Sequence, residues 1–264
     1  MISLNVKAWL ANFLLALVMG ALLFATAGTV RYWQGWLFLA VFIGAALVIT
    51  AYLVRHDPAL LRRRMVGGPM AEPETRQKIL MFFASIGFIA LLLVSALDHR
   101  FGWSSVPVPV VIAGDILIVV GFAVVLRVFR ENTFTSARVE IAREQRVVTT
   151  GPYALVQHPM YAGAFLYLLG MPLALGSYWG LLAVAAMMAA ITWRMFDEED
   201  LLARGLPGYL DYQRSVRWRL IPGIFLVFRP RLQAEGGCKR LRFGLGLRRG
   251  RLTACRIPSL RMRV

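Results

Sequence analysis

The chain has 264 residues, of which 58% are hydrophobic and only 17% charged, with a mean hydropathy of +0.62. A water-soluble domain carries roughly 25% charged and about 45–50% apolar residues, so a soluble Rossmann enzyme, a disulfide scaffold and a disordered chain are excluded. The net charge of +16 does not signal nucleic acid, because residues 229–264 alone hold 11 Lys/Arg against Glu235, leaving +6 for the rest.

In chain order, residues 8–30, 32–54 and 79–97 are free of charge, and 106–126 is interrupted only by Asp115. A helix crossing a core of roughly 30 Å needs about 20 residues, so each run predicts a span. Residues 147–193 contain no Asp, Glu, Lys or Arg. That is too long for one span, and Gly176-Ser177 reads as a turn, which predicts a hairpin of about 160–175 and 178–196 with a short first arm. Ala25-Thr26-Ala27 resembles a signal-peptidase site, but the apolar run is longer than a usual signal and only Lys7 precedes it, so the first helix is expected to remain.

Loop charges support this path. Residues 55–78 carry Arg55, Arg62, Arg63, Arg64, Arg76 and Lys78, and the segments 127–146 and 194–219 are also arginine-rich. The alternate loops hold only Arg31 and Arg100. The positive-inside rule then expects an all-α, multi-pass protein of the inner or plasma membrane with about six spans and both termini cytoplasmic. Residues 1–129 read as four N-terminal spans and 130–228 as a catalytic region containing the hairpin. Residues 229–264 read as a disordered basic tail without a catalytic role. Cys238 and Cys255 lie in that tail and form no C-x-x-C pair, and His56, His99 and His158 are scattered. Neither a disulfide frame nor a metal site is expected.

Chemistry is expected where polar residues gather at the cytoplasmic boundary. The segment Gly151-Pro152-Tyr153-Ala154-Leu155-Val156-Gln157-His158-Pro159-Met160-Tyr161-Ala162-Gly163 precedes the hairpin. Pro159 fits the first turn of a helix, which puts His158 at the N-cap beside backbone donors able to hold an anion. Tyr153 and Tyr161 offer aromatic faces to a cation, although interfacial anchoring is the plainer role for tyrosine. In the second cluster, Arg194-Met195-Phe196-Asp197-Glu198-Glu199-Asp200, Arg194 and Glu198 share a helix face. Acids late in a helix oppose its dipole unless they find partners. The cluster is therefore either a solvated helix end or a site for a cationic ligand. A third segment, Gly208 to Pro222, places Tyr209, Tyr212 and Val216 on one face of a short interfacial helix. Arg217 and Arg219 there could hold lipid headgroups or a substrate anion. Asp115, mid-span, is read as structural.

These three clusters, in this order and spacing, resemble the membrane-embedded methyltransferases of the isoprenylcysteine carboxyl methyltransferase and phospholipid methyltransferase group. The family pattern G-P-Y-x-x-V-R-H-P-x-Y-x-G, a helix hairpin, R-x-x-x-E-E and L-P-G-Y-x-x-Y ending in R-x-R-L-I-P is met by Gly151–Gly163, Arg194 with Glu198 and Glu199, and Leu206–Pro222. Gln157 departs from it, standing where the family usually has Arg. The likeness covers residues 130–225.

The resemblance implies a cytoplasmic-face pocket for S-adenosylmethionine (AdoMet) and transfer of its methyl to a lipid-borne acceptor. It assigns cofactor contact to Gly151, Tyr153, Val156, His158, Pro159, Tyr161, Gly163, Glu198 and Glu199. Catalytic roles fall to Arg194, Glu198 and Arg217, and substrate contact to Tyr209, Tyr212 and Arg219. A carboxylate acceptor such as prenylcysteine needs a cationic clamp, whereas a phospholipid amine needs a base to remove its proton. The arginine supply favours the carboxylate. A sterol-reductase-like enzyme would instead use NADPH, with Arg62–Arg64 holding its 2′-phosphate. A lipid carrier would require more polar residues at mid-membrane than Asp115 alone. The expected partners are the membrane and a lipidic substrate, with no metal and no nucleic acid. The oligomeric state cannot be read from the sequence.

Overall fold

The structure, a computed structural model, describes residues 3–67, 72, 74–135 and 145–223; the expectations for the basic tail from residue 229 onward lie outside them. The helices are α1 (Leu4–Ala27), α2 (Trp33–His56), α3 (Pro58–Met65), α4 (Thr75–Phe101), α5 (Val108–Glu131), α6 (Pro159–Ala174), α7 (Gly180–Gly205) and α8 (Tyr209–Ser215), with a 3-10 turn at Gly151–Ala154 before α6. The described residues contain no strand. Helices α1, α2, α4, α5 and α7 are long and apolar enough to cross a bilayer, which makes this a multi-pass membrane protein.

The expected sixth span is α6, an apolar helix of only 16 residues. Pro159 fixes its start and the Gly176 turn, at φ 71°, its end. At 1.5 Å per residue it falls short of a roughly 30 Å core, so it is the short arm that the charge-free stretch predicted. Its partner α7 continues to Gly205 rather than ending at residue 196. The acids beyond residue 196 find partners: those of Asp197, Glu198 and Glu199 are described below, and the Asp200 carboxylate lies 3.9 Å from Arg204 one turn on.

The bundle centre is filled by Leu23, Leu91, Leu92, Ile118, Met171 and Leu175, all fully buried or nearly so. Large apolar residues on outer faces, such as Phe13, Phe82, Phe83, Ile116 and Leu182, stay exposed, as lipid-facing positions do. Because lipid tails are as apolar as leucine, close packing must hold the helices together. Its tightest instance is α5 on α6, where Gly114 and Gly121 face Gly170 and Gly163. A Cβ on Gly121 would lie 2.6 Å from the Gly163 carbonyl oxygen, and one on Gly163 would lie 2.8 Å from that of Gly121. Each helix spaces its pair by seven residues, two helical turns, so the backbones meet twice along one seam.

At the end of the bundle where α4 meets α5 and α6 meets α7, Asp98 is buried and fully employed. Its carboxylate accepts from the Ser104 amide at 2.7 Å, the Ser104 hydroxyl at 2.7 Å and the Ser177 hydroxyl at 2.5 Å. The Tyr32 hydroxyl donates to the Leu175 carbonyl at 2.5 Å. These bonds fix the hairpin turn and leave the opposite end, where the arginine-rich connections gather, for the site. There α3 is seated by buried Leu60 and Leu61 against Leu53, Val125 and Phe129. Asp57 caps it, accepting from the Leu60 amide at 2.8 Å, and Arg63 donates to the Thr133 carbonyl beyond α5.

Candidate active site

The approach to α6 is latched to the chain beyond α8. The Gln157 and His158 amides donate to the Trp218 and Arg219 carbonyls at 2.8 and 2.9 Å. The Gln157 side-chain amide donates to the Val216 carbonyl at 2.6 Å and the Gln213 carbonyl at 3.2 Å. The Tyr212 hydroxyl donates to the Tyr153 carbonyl at 2.8 Å. Tyr209, Tyr212 and Val216 form a small apolar cluster with Leu202 and Leu206 of the α7 end, the shared face that their spacing predicted. His158 is the N-cap residue of α6 and Pro159 its first residue, as read from the sequence.

Glu199 locks the latch. Its side chain is 3% exposed; Oε1 lies 2.8 Å from His158 Nε2 and 2.9 Å from Arg219 Nε, and Oε2 accepts from the second Arg219 nitrogen at 3.0 Å. The Arg219 guanidinium and the three bonds offset the cost of burying this carboxylate. Arg194 is held from the other side. Its guanidinium meets Glu72 at 2.7 Å and donates to Gln77 Oε1 at 2.9 Å. Gln77 in turn donates to Asp197 at 2.9 Å, and Arg76 lies 3.4 Å from the same carboxylate.

Between these two networks lies a cavity of about 250 Å³. Its wall includes Tyr153, His158, Pro159, Tyr161, Arg194, Glu198, Tyr209 and Tyr212, all expected from the sequence. Tyr161 donates to Glu198 at 2.5 Å, so this carboxylate is fixed with its charge at the cavity. Burial pushes the Tyr153 hydroxyl up to about 12 and raises those of Tyr209 and Tyr212. All three are therefore neutral at physiological pH, presenting aromatic faces and hydroxyls rather than phenolates.

Other expected residues lie elsewhere. Gly163 faces Gly121 in the helix seam, and Gly151, Val156, Glu199 and Arg219 stand outside the cavity wall. Gly151 meets the Glu131 side chain, Val156 is buried, and Arg217 is exposed and away from the cavity. Of Arg62–Arg64, only Arg64 reaches the wall. Sequence reasoning did not place Arg64, Asn132, Arg146 or Gln157 there, nor Glu72 and Gln77 behind Arg194. Arg64 lies 5.1 Å over the Phe129 ring, and burial lowers its pKa, opposed by nearby Tyr167, Tyr161 and Glu198. The uncharged Gln157 fills its place by bonding backbone carbonyls, a role that its departure from the family pattern did not reveal. Among the described residues no cluster of three or more His, Cys, Asp or Glu could hold a metal ion.

The seam and most of the cavity wall come from residues 109–206, which match the model of the phospholipid methyltransferase family. This segment belongs to that family. The match spans less than half of the chain, starting in α5 and ending just past α7. A comparison with curated proteins found no match. The match supports a membrane methyltransferase acting on a lipid-related substrate.

Proposed function

We propose that the cavity binds AdoMet and that the enzyme methylates a carboxylate on a lipid-borne acceptor such as a prenylcysteine. The observation that carries this reading is the wall itself: the fixed Glu198 carboxylate, four tyrosines and the Arg64, Arg146 and Arg194 guanidiniums share one small space. This donor set fits the cofactor's chemistry. Glu198 and tyrosine faces would hold its cationic ammonium and sulfonium, and Arg146, with backbone amides at the α6 start, its carboxylate.

When bound, AdoMet supplies a methyl group on a sulfonium. The protein's contribution is position and dryness. The latch of Glu199 to His158 and Arg219 holds the α6 entrance rigid, and the buried tyrosines displace water from the reacting centre. A carboxylate acceptor is already a nucleophile and requires no base. His158 is engaged with Glu199, which supports an acceptor needing no proton removal. At about 250 Å³ the cavity is smaller than most small-molecule pockets, roughly 300–1,000 Å³, so the acceptor's hydrocarbon would lie outside it, in the bilayer.

A second reading, N-methylation of a phospholipid amine, is favoured by the description of the matched family. Incubation of the purified protein with methyl-tritiated AdoMet, using farnesylcysteine acid and phosphatidylethanolamine as acceptors, separates the two. The carboxylate reading expects label that alkali releases as methanol; alkali-stable label on the phospholipid would favour the amine. Transfer to neither would remove the support for both acceptors.

A further inference from the structure

Gln157 lines the cavity and is buried, only 8% exposed. Its side-chain nitrogen donates to the Val216 carbonyl at 2.6 Å and to the Gln213 carbonyl at 3.2 Å, which uses both N–H donors of the amide. Those two bonds decide the orientation of the group, because a flipped amide would set Oε1 against two carbonyl oxygens. Oε1 is buried and, among the described residues, accepts no hydrogen bond. A buried acceptor without a donor is costly, and a ligand in the cavity can supply the missing donor.

The cavity has two chemically different ends. At one, Tyr161 donates to Glu198, with Arg194 beside that tyrosine. At the other, Tyr209 and Tyr212 of α8 pack with Leu202 and Leu206, and Val147 and Tyr153 close over them. The two α8 rings lie 6.0 Å apart. Gln157 belongs to this second end, since its side chain bonds the carbonyls of Gln213 in α8 and of Val216 just beyond it.

What the second end can take follows from its chemistry. A cationic donor such as an ammonium gains more from the Glu198 carboxylate than from a neutral amide oxygen. An aromatic, largely apolar slot with one neutral acceptor suits a flat, uncharged ring with an N–H donor at its edge. The adenine of the methyl donor has that form, with π faces for the tyrosines and an exocyclic amine for Oε1. The ribose hydroxyls also donate, but the sugar offers no flat face to the rings.

We infer, resting on the methyl-donor reading above, that Gln157 recognises the donor's adenine, its Oε1 accepting from the exocyclic amine while the ring lies among Tyr153, Tyr209 and Tyr212. The amino-acid part of the donor then extends toward Glu198. One side chain serves both ends of its amide: the nitrogen ties the α6 entrance to α8, and the oxygen reads the base.

Calorimetric titration of the detergent-purified protein with S-adenosylhomocysteine, and with its analogue bearing hydrogen in place of the exocyclic amino group, tests this. The wild type is expected to prefer the amino compound by about tenfold or more, as for a buried acceptor left unpaired. Gln157→Met keeps the length and removes the acceptor, and the two ligands then bind within about threefold of each other. Gln157→Glu keeps an oxygen acceptor at that place and retains the preference. The ratio separates recognition from support, because losing the bonds to Gln213 and Val216 weakens both ligands alike and leaves it unchanged. Equal binding of the two ligands by the wild type overturns the assignment, and so does a preference that survives Gln157→Met. Should Gln157→Met fail to fold, the resonance of an isotope-labelled exocyclic amine on bound S-adenosylhomocysteine decides. It shifts between wild type and Gln157→Glu if the amine meets this side chain, and an unmoved resonance overturns the assignment. Binding of both ligands without discrimination brings down this inference alone, whereas no binding of S-adenosylhomocysteine by the wild type brings down the methyl-donor reading with it.

Discussion

Glu198 faces the cavity, accepting from Tyr161 at 2.5 Å, whereas Glu199, ~100° further round the helix, is closed between His158 and Arg219. Two adjacent, chemically identical residues therefore do different work. Glu198→Gln is expected to weaken S-adenosylhomocysteine binding by about tenfold or more, since a charge-assisted hydrogen bond contributes about 1.5–3 kcal/mol, with little change in thermal unfolding. Glu199→Gln takes from the half-buried Arg219 the carboxylate that it bonds twice, a loss on the order of 1.5–3 kcal/mol for a charge-assisted contact. Its expected signature is a clear fall in the detergent melting temperature, with ligand affinity lost only as the latch loosens. Equal effects of the two substitutions on both measurements would show that the acids are not separated in role. The sequence put both on the cofactor because a motif records which residues occur, and their direction depends on partners from distant segments. Arg219 is 20 residues away from Glu199, and His158 is 41 residues away.

Helix α6 shows what pattern alone can deliver at the level of an element. Its start at Pro159, its cap at His158 and its short length follow from local chemistry and a charge-free run. What it packs against does not, since Gly163 sits in a motif that resembles a cofactor site yet its contact is Gly121 of α5. Glycine leaves no side chain to signal a helix seam, and only the matching seven-residue spacings in the two helices carried that information. Gly121→Ala and Gly163→Ala should both lower the melting temperature, because each new Cβ meets a carbonyl oxygen of the facing helix under 3 Å. Gly44→Ala on α2 has nothing within 4 Å and should be neutral or raise stability slightly, by up to about 1 kcal/mol from helix propensity. Comparable melting temperatures for all three would mean that the seam does not hold the bundle. Helix α3 was legible only as an arginine cluster. Its reach into the cavity depends on tertiary anchors at Leu60, Leu61 and Arg63.

Across the whole molecule, five long apolar helices together with the short apolar α6 match the number of segments that the alternating loop charge separates. Arginine-rich connections gather at the cavity end, from which we propose by the positive-inside rule that the cavity and both termini are cytoplasmic. Cys238 and Cys255 are the chain's only cysteines and lie in the C-terminal segment, which makes orientation measurable without mutation. A membrane-impermeant maleimide should label inside-out vesicles and leave right-side-out vesicles unlabelled; the reverse pattern would place the cavity on the other face and deny it cytoplasmic AdoMet.

Everything proposed for the site depends on the cavity beside Glu198 being the methyl-donor site. Calorimetric titration of the detergent-purified protein with S-adenosylhomocysteine, with NADPH as the comparison ligand, tests that directly. The expected result is micromolar S-adenosylhomocysteine binding, weakened in Glu198→Gln, and no NADPH binding. NADPH binding alone, or S-adenosylhomocysteine binding unchanged in Glu198→Gln, would contradict it.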